Sequence, residues 1–152
     1  MVAVRYFPLR MAGIPLEAAA TIVDRALERA RASDLRPLTV VVLDAGGHLK
    51  AMKREDGAGI LRADTAFGKA WGALGWGVGS RAIAAQASER PAFFGALATV
   101  AGGRMVLAPG GVLVLAGDEV IGAVGVSGDT PDADEGCAVT GVEAAGLRAE
   151  TG

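Results

Sequence analysis

The stretch VVVLDAGGHLKAMKREDGA, residues 40–58, carries the pattern that decides the fold. Leu38 to Asp44 is β-branched and almost wholly apolar, as expected of a strand that is covered on both faces. Ala45, Gly46 and Gly47 then turn the chain, and His48 to Lys53 alternates like a return strand. The stretch therefore predicts a β-hairpin.

Helical spacing of apolar residues is found on both sides of this hairpin. It predicts a first helix that starts at Pro15 and stops before Pro37, and a second from Ile60 to about Leu74. Pro91 opens a short helix, and Thr130 caps a final one. Three more strands are expected at Met105–Leu107, Val112–Leu115 and Val120–Val126. Strands joined by tight turns and covered by helices predict an antiparallel sheet in an α+β domain.

Composition narrows the class of protein. The 152 residues suit a single domain, 1–152, and 15 basic against 17 acidic residues create no positive field for nucleic acid. Arg5 and Arg10 interrupt the opening segment, which predicts neither a signal sequence nor a membrane span, and the single Cys137 fits a cytoplasmic protein. The mean hydropathy of +0.38 is high for a monomer and predicts a homo-oligomer.

Four motifs resemble the GlcG/HbpS family in the same order and spacing. Residues 40–58 look like its first hairpin, and Lys69-Ala70 stands where the family has a helical Lys-Ala. Pro109-Gly110-Gly111 resembles its Gly-Gly turn. IGAVGVSG, residues 121–128, followed by Asp134-Glu135 resembles its last strand and helix. Any one of these strings is weak, but the four together make the resemblance specific.

The resemblance implies a profilin-like fold whose five-stranded antiparallel sheet is covered by helices. It implies homo-oligomers, from dimer to octamer, and in some relatives the binding or degradation of haem. Relatives fused to corrinoid adenosyltransferases also carry this domain. We therefore expect a small-ligand-binding protein whose ligand is haem or a related tetrapyrrole, with no other cofactor.

His48 is the only imidazole of the chain and hence the candidate ligand of a haem iron, with Met52 or Met105 as a weaker axial partner. A His directly after a two-glycine turn is also commonly just an exposed residue. The other ligand-binding candidates are the aromatic residues beside Lys69 and the Gly-Gly turn, namely Phe67, Trp71, Gly110 and Gly111.

Arg62, Thr65 and Lys69 are spaced to lie on one side of the second helix, where together they could hold a carboxylate. This favours an alternative function: a cofactor-independent isomerase, hydratase or lyase that acts on a small anionic metabolite. Lys69, Glu135 and Asp64 would then transfer protons, whereas Asp134 is expected to cap the last helix. The plainer interpretation is a solvated helix face on which Lys69 pairs with a carboxylate. A scaffold whose role is assembly is the third possibility.

Gly68, Gly72, Gly75 and Gly79 form one stripe if the second helix continues. Glycine in a helix is unfavourable, so a closely packed neighbour is expected to compensate. We expect a second helix to pack there, in preference to a flat ligand.

Overall fold

The computed structural model describes residues 13–152, which form five helices and five strands. The helices are α1 (Leu16–Ala32), α2 (Leu61–Trp76), α3 (Ser80–Glu89), α4 (Pro91–Val100) and α5 (Pro131–Ala144). The strands are β1 (Thr39–Asp44), β2 (Leu49–Arg54), β3 (Gly111–Ala116), β4 (Glu119–Ser127) and β5 (Arg148–Glu150). The helix starts follow the sequence: Pro15 precedes α1, and the Thr130 hydroxyl accepts a hydrogen bond from the Ala133 amide at the start of α5.

The five strands form one antiparallel sheet in the order β2-β1-β4-β3-β5, which confirms the predicted α+β fold. Alternate residues of β1 serve two cores. Val40 and Val42 pack in the core that contains α1 and α5, and Val41 and Leu43 pack against α2 on the other face. Burying each such side chain stabilises the fold by about 2 kcal/mol. This two-sided burial explains why β1 is an unbroken apolar run.

The strand β2 lies at the edge of the sheet, and its side chains are mostly exposed. It pairs with β1 through the predicted hairpin, in which Val41 stands opposite Met52. Alternation of apolar and charged residues in this strand thus reflects its edge position.

The predicted strand at Met105–Leu107 is wrong, and β5 is the fifth strand instead. The segment crosses α2, where the Val106 amide donates a hydrogen bond to the carbonyl of Gly68. A short apolar run looks the same whether it pairs with a sheet or covers a helix, and this run covers a helix. The helix α3 was not predicted.

We expected a second helix to pack against the glycine stripe, and this prediction is also wrong. The helix α2 ends at Gly77, whose φ of +80° closes it. A Cβ added at Gly68 would lie 2.6 Å from Val106, and one at Gly72 would lie 2.9 Å from Met105. The two glycines therefore admit the crossing loop segment, a Cβ added at Gly75 would meet no atom of another element within 4 Å, and Gly79 lies beyond the helix.

No helix within residues 13–152 is long and apolar enough to cross a membrane. Arg5 and Arg10, which interrupt the opening segment, lie outside the described residues. The cytoplasmic location and the single domain over 1–152 stay predictions.

Candidate functional site

Lys69 is buried, with 3% of the residue exposed, where α2 meets the end of β4. Its ammonium donates to the carbonyl of Val126 at 2.9 Å and to Oδ2 of Asp134 at 3.0 Å. Asp134 also accepts hydrogen bonds from the amides of Gly128 and Asp129. The plainer interpretation of Lys69, a pairing with a carboxylate, thus describes its contacts, but the pair is buried and not on a solvated face.

The Gly-Gly turn closes over Lys69. Gly110 has a φ of +120°, and a Cβ there would lie 2.9 Å from the Lys69 ammonium. A Cβ at Gly111 would lie 2.2 Å from the Lys69 carbonyl oxygen, and the Gly111 amide donates to the buried Ser80 hydroxyl at 2.7 Å. Glycine is required at both positions because backbone and lysine approach so closely.

The remaining residues predicted on α2 differ in their surroundings. Arg62 is half-buried and donates from Nη1 to the Ser127 hydroxyl at 3.3 Å. Phe67 packs beside the core under α2, Thr65 is half-buried, and Asp64 is exposed in the first turn. Arg62 and Lys69 are therefore both directed to the sheet, and Asp64 is directed to solvent.

Glu135 is held by an arginine that the sequence did not single out. Nε of Arg81 lies 3.0 Å and 3.2 Å from the two carboxylate oxygens of Glu135, and Asp132 binds the same guanidinium. The hydrogen bonds that the guanidinium donates to Asp132 and Glu135 raise the pKa of Arg81 above its usual value. The proton-transfer roles of Lys69, Glu135 and Asp64 stay predictions, and a substrate would reach Lys69 only if the Gly110 turn moved.

His48 is 69% exposed in the side chain and follows the hairpin turn. Its Nδ1 lies 3.3 Å from Oδ1 of Asp44, an oxygen that also accepts from the amides of Gly46 and His48. Partial burial opposes ionisation of this carboxyl, but the two amides, together with the His48 imidazole, hold the pKa of Asp44 below its usual value. A carboxylate at Nδ1 fixes the imidazole so that Nε2 is the nitrogen available to a ligand.

A small concavity of about 200 Å³ lies between α2 and the hairpin turn that precedes His48, although His48 itself does not line it. It is lined by Ala45, Gly46, Gly47, Trp71, Leu74 and Gly75. The guanidinium of Arg104 stacks on the Trp71 ring at 4.2 Å from the centroid, and Trp71 contacts the turn near Gly47. An aromatic ring, stacked by a cation, thus packs against the backbone of the turn that precedes His48.

Sequence reasoning missed four residues that these clusters contain: Asp44, Ser80, Arg81 and Arg104. Asp44 and His48 are separated by one tight turn, and this spacing is a signal that could have paired them. Asp134 was expected to cap α5, but Thr130 caps the helix and Asp134 turns to Lys69. Only the fold brings Arg81 and Ser80 to residues that lie far away in the chain.

Three features define the class of α+β protein to which the chain belongs. They are the strand order, the helical layers on the two faces of the sheet, and Lys69 buried under a Gly-Gly turn. The family described as "Haem degrading protein HbpS-like" matches residues 14–143. The chain belongs to this HbpS-like family, which confirms the resemblance drawn from the four motifs.

Known proteins are similar over most of the chain. A Citrobacter freundii protein, described as an uncharacterized 15.0 kDa protein in the dhaT-dhaS intergenic region, is 33% identical over 107 residues, which span 70% of this chain and 75% of the relative. A double mutant of Streptomyces reticuli HbpS is 28% identical, with a TM-score of 0.77 and 94% of each chain covered. The PduOC–haem complex, 24% identical with a TM-score of 0.81 over 89% of this chain and 96% of PduOC, shares the fold.

Proposed function

We propose that this protein binds haem or a related tetrapyrrole, with His48 as an axial ligand of the iron. The observation that carries the proposal is the exposed imidazole, whose Nδ1 faces Asp44 and whose Nε2 is left for a metal. Metal-ligating histidines usually hold the other ring nitrogen against a carboxylate or carbonyl in this way. Family membership and the fold shared with the PduOC–haem complex support the same ligand.

The few metal-ligating side chains around His48 suit a metal that is already coordinated by a macrocycle. Within residues 13–152 no three His, Cys, Asp or Glu side chains gather to hold a bare ion. The exposed imidazole, together with the Trp71 indole and the Arg104 guanidinium behind the preceding turn, instead suits a flat aromatic ligand with an iron and anionic side chains. Haem bound here would supply an iron whose electronic properties the axial imidazole tunes.

A concavity of about 200 Å³ is smaller than the roughly 300–1,000 Å³ of common ligand pockets. Most of a tetrapyrrole bound at His48 would therefore extend over the surface. We propose that a second copy of the chain covers it, in agreement with the predicted homo-oligomer. Of the two methionines within residues 13–152, Met52 is 45% exposed on the edge strand, whereas Met105 packs over Gly72.

Hemin titration tests the proposal. The intact protein should sharpen and shift the Soret band with saturation, and His48→Ala should abolish that change while the circular dichroism spectrum is kept. Arg25→Gln, a change on the far helix α1 in an exposed pair with Glu28, serves as the control. Identical spectra for His48→Ala and the unaltered protein would eliminate the proposed ligand.

A further inference from the structure

Three neighbouring strands place polar residues in one row at the end of the sheet. Thr39 of β1 stands opposite Arg54 of β2 on one side and opposite Ser127 of β4 on the other. Directly opposed residues in antiparallel strands point to the same face, and Thr39 shares its face with Val41. Val41 packs in the core beneath α2 with Ala66, so the whole row faces α2.

The first turn of α2 adds a second cation to this row. Arg62 donates to the Ser127 hydroxyl at 3.3 Å, and Arg54 donates to the carbonyl of Ala58 at 2.8 Å in the loop before the helix. Arg31, Arg36, Arg81 and Arg148 each pair with a carboxylate. Neither Arg54 nor Arg62 pairs with a carboxylate belonging to residues 13–152.

The hydroxyl of Thr39 is the second observation that indicates a ligand. Thr39 is fully buried, and its Oγ1 has no hydrogen-bond partner in the described part of the chain. A buried hydroxyl without a partner destabilises the fold, and valine has the same shape without that cost. The hydroxyl therefore indicates a partner that comes from outside these residues.

We propose that Arg54, Arg62, Thr39 and Ser127 form a binding site for a carboxylate. Guanidinium groups bind carboxylates through paired, charge-assisted hydrogen bonds, and two unpaired ones here leave that capacity unused. Ser127 accepts from Arg62 and so orients it. The hydroxyl of Thr39 is fully buried, so in this proposal it donates to the carboxylate only after the first turn of α2 moves aside to admit an oxygen. The carboxylate belongs to a small free metabolite or to a propionate of a bound tetrapyrrole. The site goes beyond the proposed haem ligand, because it needs neither iron nor His48.

Calorimetric titration with succinate at low ionic strength tests the free carboxylate. We expect saturable binding to one site, which Arg62→Gln weakens about tenfold or more, since a hydrogen bond to a charged group is lost. Arg25→Gln removes the same charge from the opposite face of the sheet and should leave the affinity unchanged.

Parallel titrations with hemin and with its dimethyl ester, which lacks free propionates, test whether the carboxylate is a propionate of the tetrapyrrole. If the carboxylate is a propionate, Arg62→Gln lowers the affinity for hemin and leaves that for the ester unchanged. His48→Ala separates the two sites, because it should keep succinate binding whatever it does to hemin. If Arg62→Gln changes neither the affinity for succinate nor the affinity for hemin, the proposed carboxylate site is wrong.

The variant Thr39→Val tests whether the Thr39 hydroxyl binds the ligand or is only an unsatisfied buried group. The variant should raise the melting temperature of the ligand-free protein, because it removes an unsatisfied buried group, and it should weaken whichever ligand binds by several-fold. If the variant binds as tightly as the unaltered protein, Thr39 does not belong to the site, and the proposed set of four residues is wrong.

Discussion

The ammonium of Lys69 lies 3.0 Å from Oδ2 of Asp134, and the two side chains are only 4% and 2% exposed. This contact joins the middle of α2 to the first turn of α5 at the end of β4. Two charges removed from water are stabilised only by each other and by the surrounding amides and carbonyl. The pair should therefore respond sharply when one partner is removed.

Lys69→Met should destabilise the protein by about 3–5 kcal/mol, because the carboxylate of Asp134 stays buried without its cation. Urea denaturation monitored by circular dichroism measures the loss. Lys53→Met is the matched control, since Lys53 pairs with Asp24 on the surface, and it should change stability by less than about 1 kcal/mol. A Lys69→Met variant as stable as Lys53→Met would show that the buried pair contributes little.

Gly125→Ala should destabilise the fold by about 3 kcal/mol or more, because the new Cβ would lie 1.8 Å from the Ala66 carbonyl oxygen of α2. Gly136→Ala provides the opposite case. Gly136 lies inside α5 with no atom within 4 Å of an added Cβ, so alanine should stabilise by up to about 1 kcal/mol. Thermal unfolding of both variants checks the signs, and equal melting temperatures would contradict this account of the α2 contact.

Asp44→Asn should weaken hemin binding about tenfold without abolishing it, if the proposed function holds. The amide oxygen still accepts from the backbone, but the charge that orients Nδ1 of His48 is gone. Hemin titration measures the affinity, and Asp118→Asn, an exposed acid in the turn after β3, is the control. An affinity for hemin that Asp44→Asn leaves unchanged would show that Asp44 does not orient the His48 imidazole for binding.

Stability should fall as the pH rises from about 9 to about 11, because of Cys137. Burial first, and then the charge of Asp134, raise the pKa of this thiol from 9.0 to about 11. The unfolded chain loses the proton above its own, lower pKa, while the native thiol keeps it, so alkaline pH favours unfolding by up to about 1.4 kcal/mol per pH unit. Urea titrations of the unaltered protein and of Cys137→Ala check this, and parallel curves for the two would refute it.

The secondary structure that the sequence predicted well belongs to segments with a strong local pattern. β1, β2 and the starts of α1, α4 and α5 have clear periodicity, turn glycines or an N-terminal proline. Met105–Leu107 failed because three apolar residues carry no period, and β5 is only three residues long. The helix α3 was missed: it has ten residues, and Ile83 is the one large apolar side chain among them.

The site was less predictable, since it depends on contacts between distant elements. The spacing on α2 directed attention to Arg62 and Lys69, whose functional roles stay predictions, but nothing local shows that Asp134 rather than Glu135 turns toward Lys69. The pairing of Arg54 and Ser127 with Thr39 requires the strand order, which the hairpin alone does not specify.

The edge strand β2 also affects how the protein behaves at high concentration. No strand of residues 13–152 pairs with its outer backbone groups, a condition that in many proteins promotes fibrous association. Lys50, Lys53 and Arg54 place three positive charges along these six residues. A second edge strand brought alongside would face that row of like charges, so β2 resists uncontrolled growth of the sheet from chain to chain.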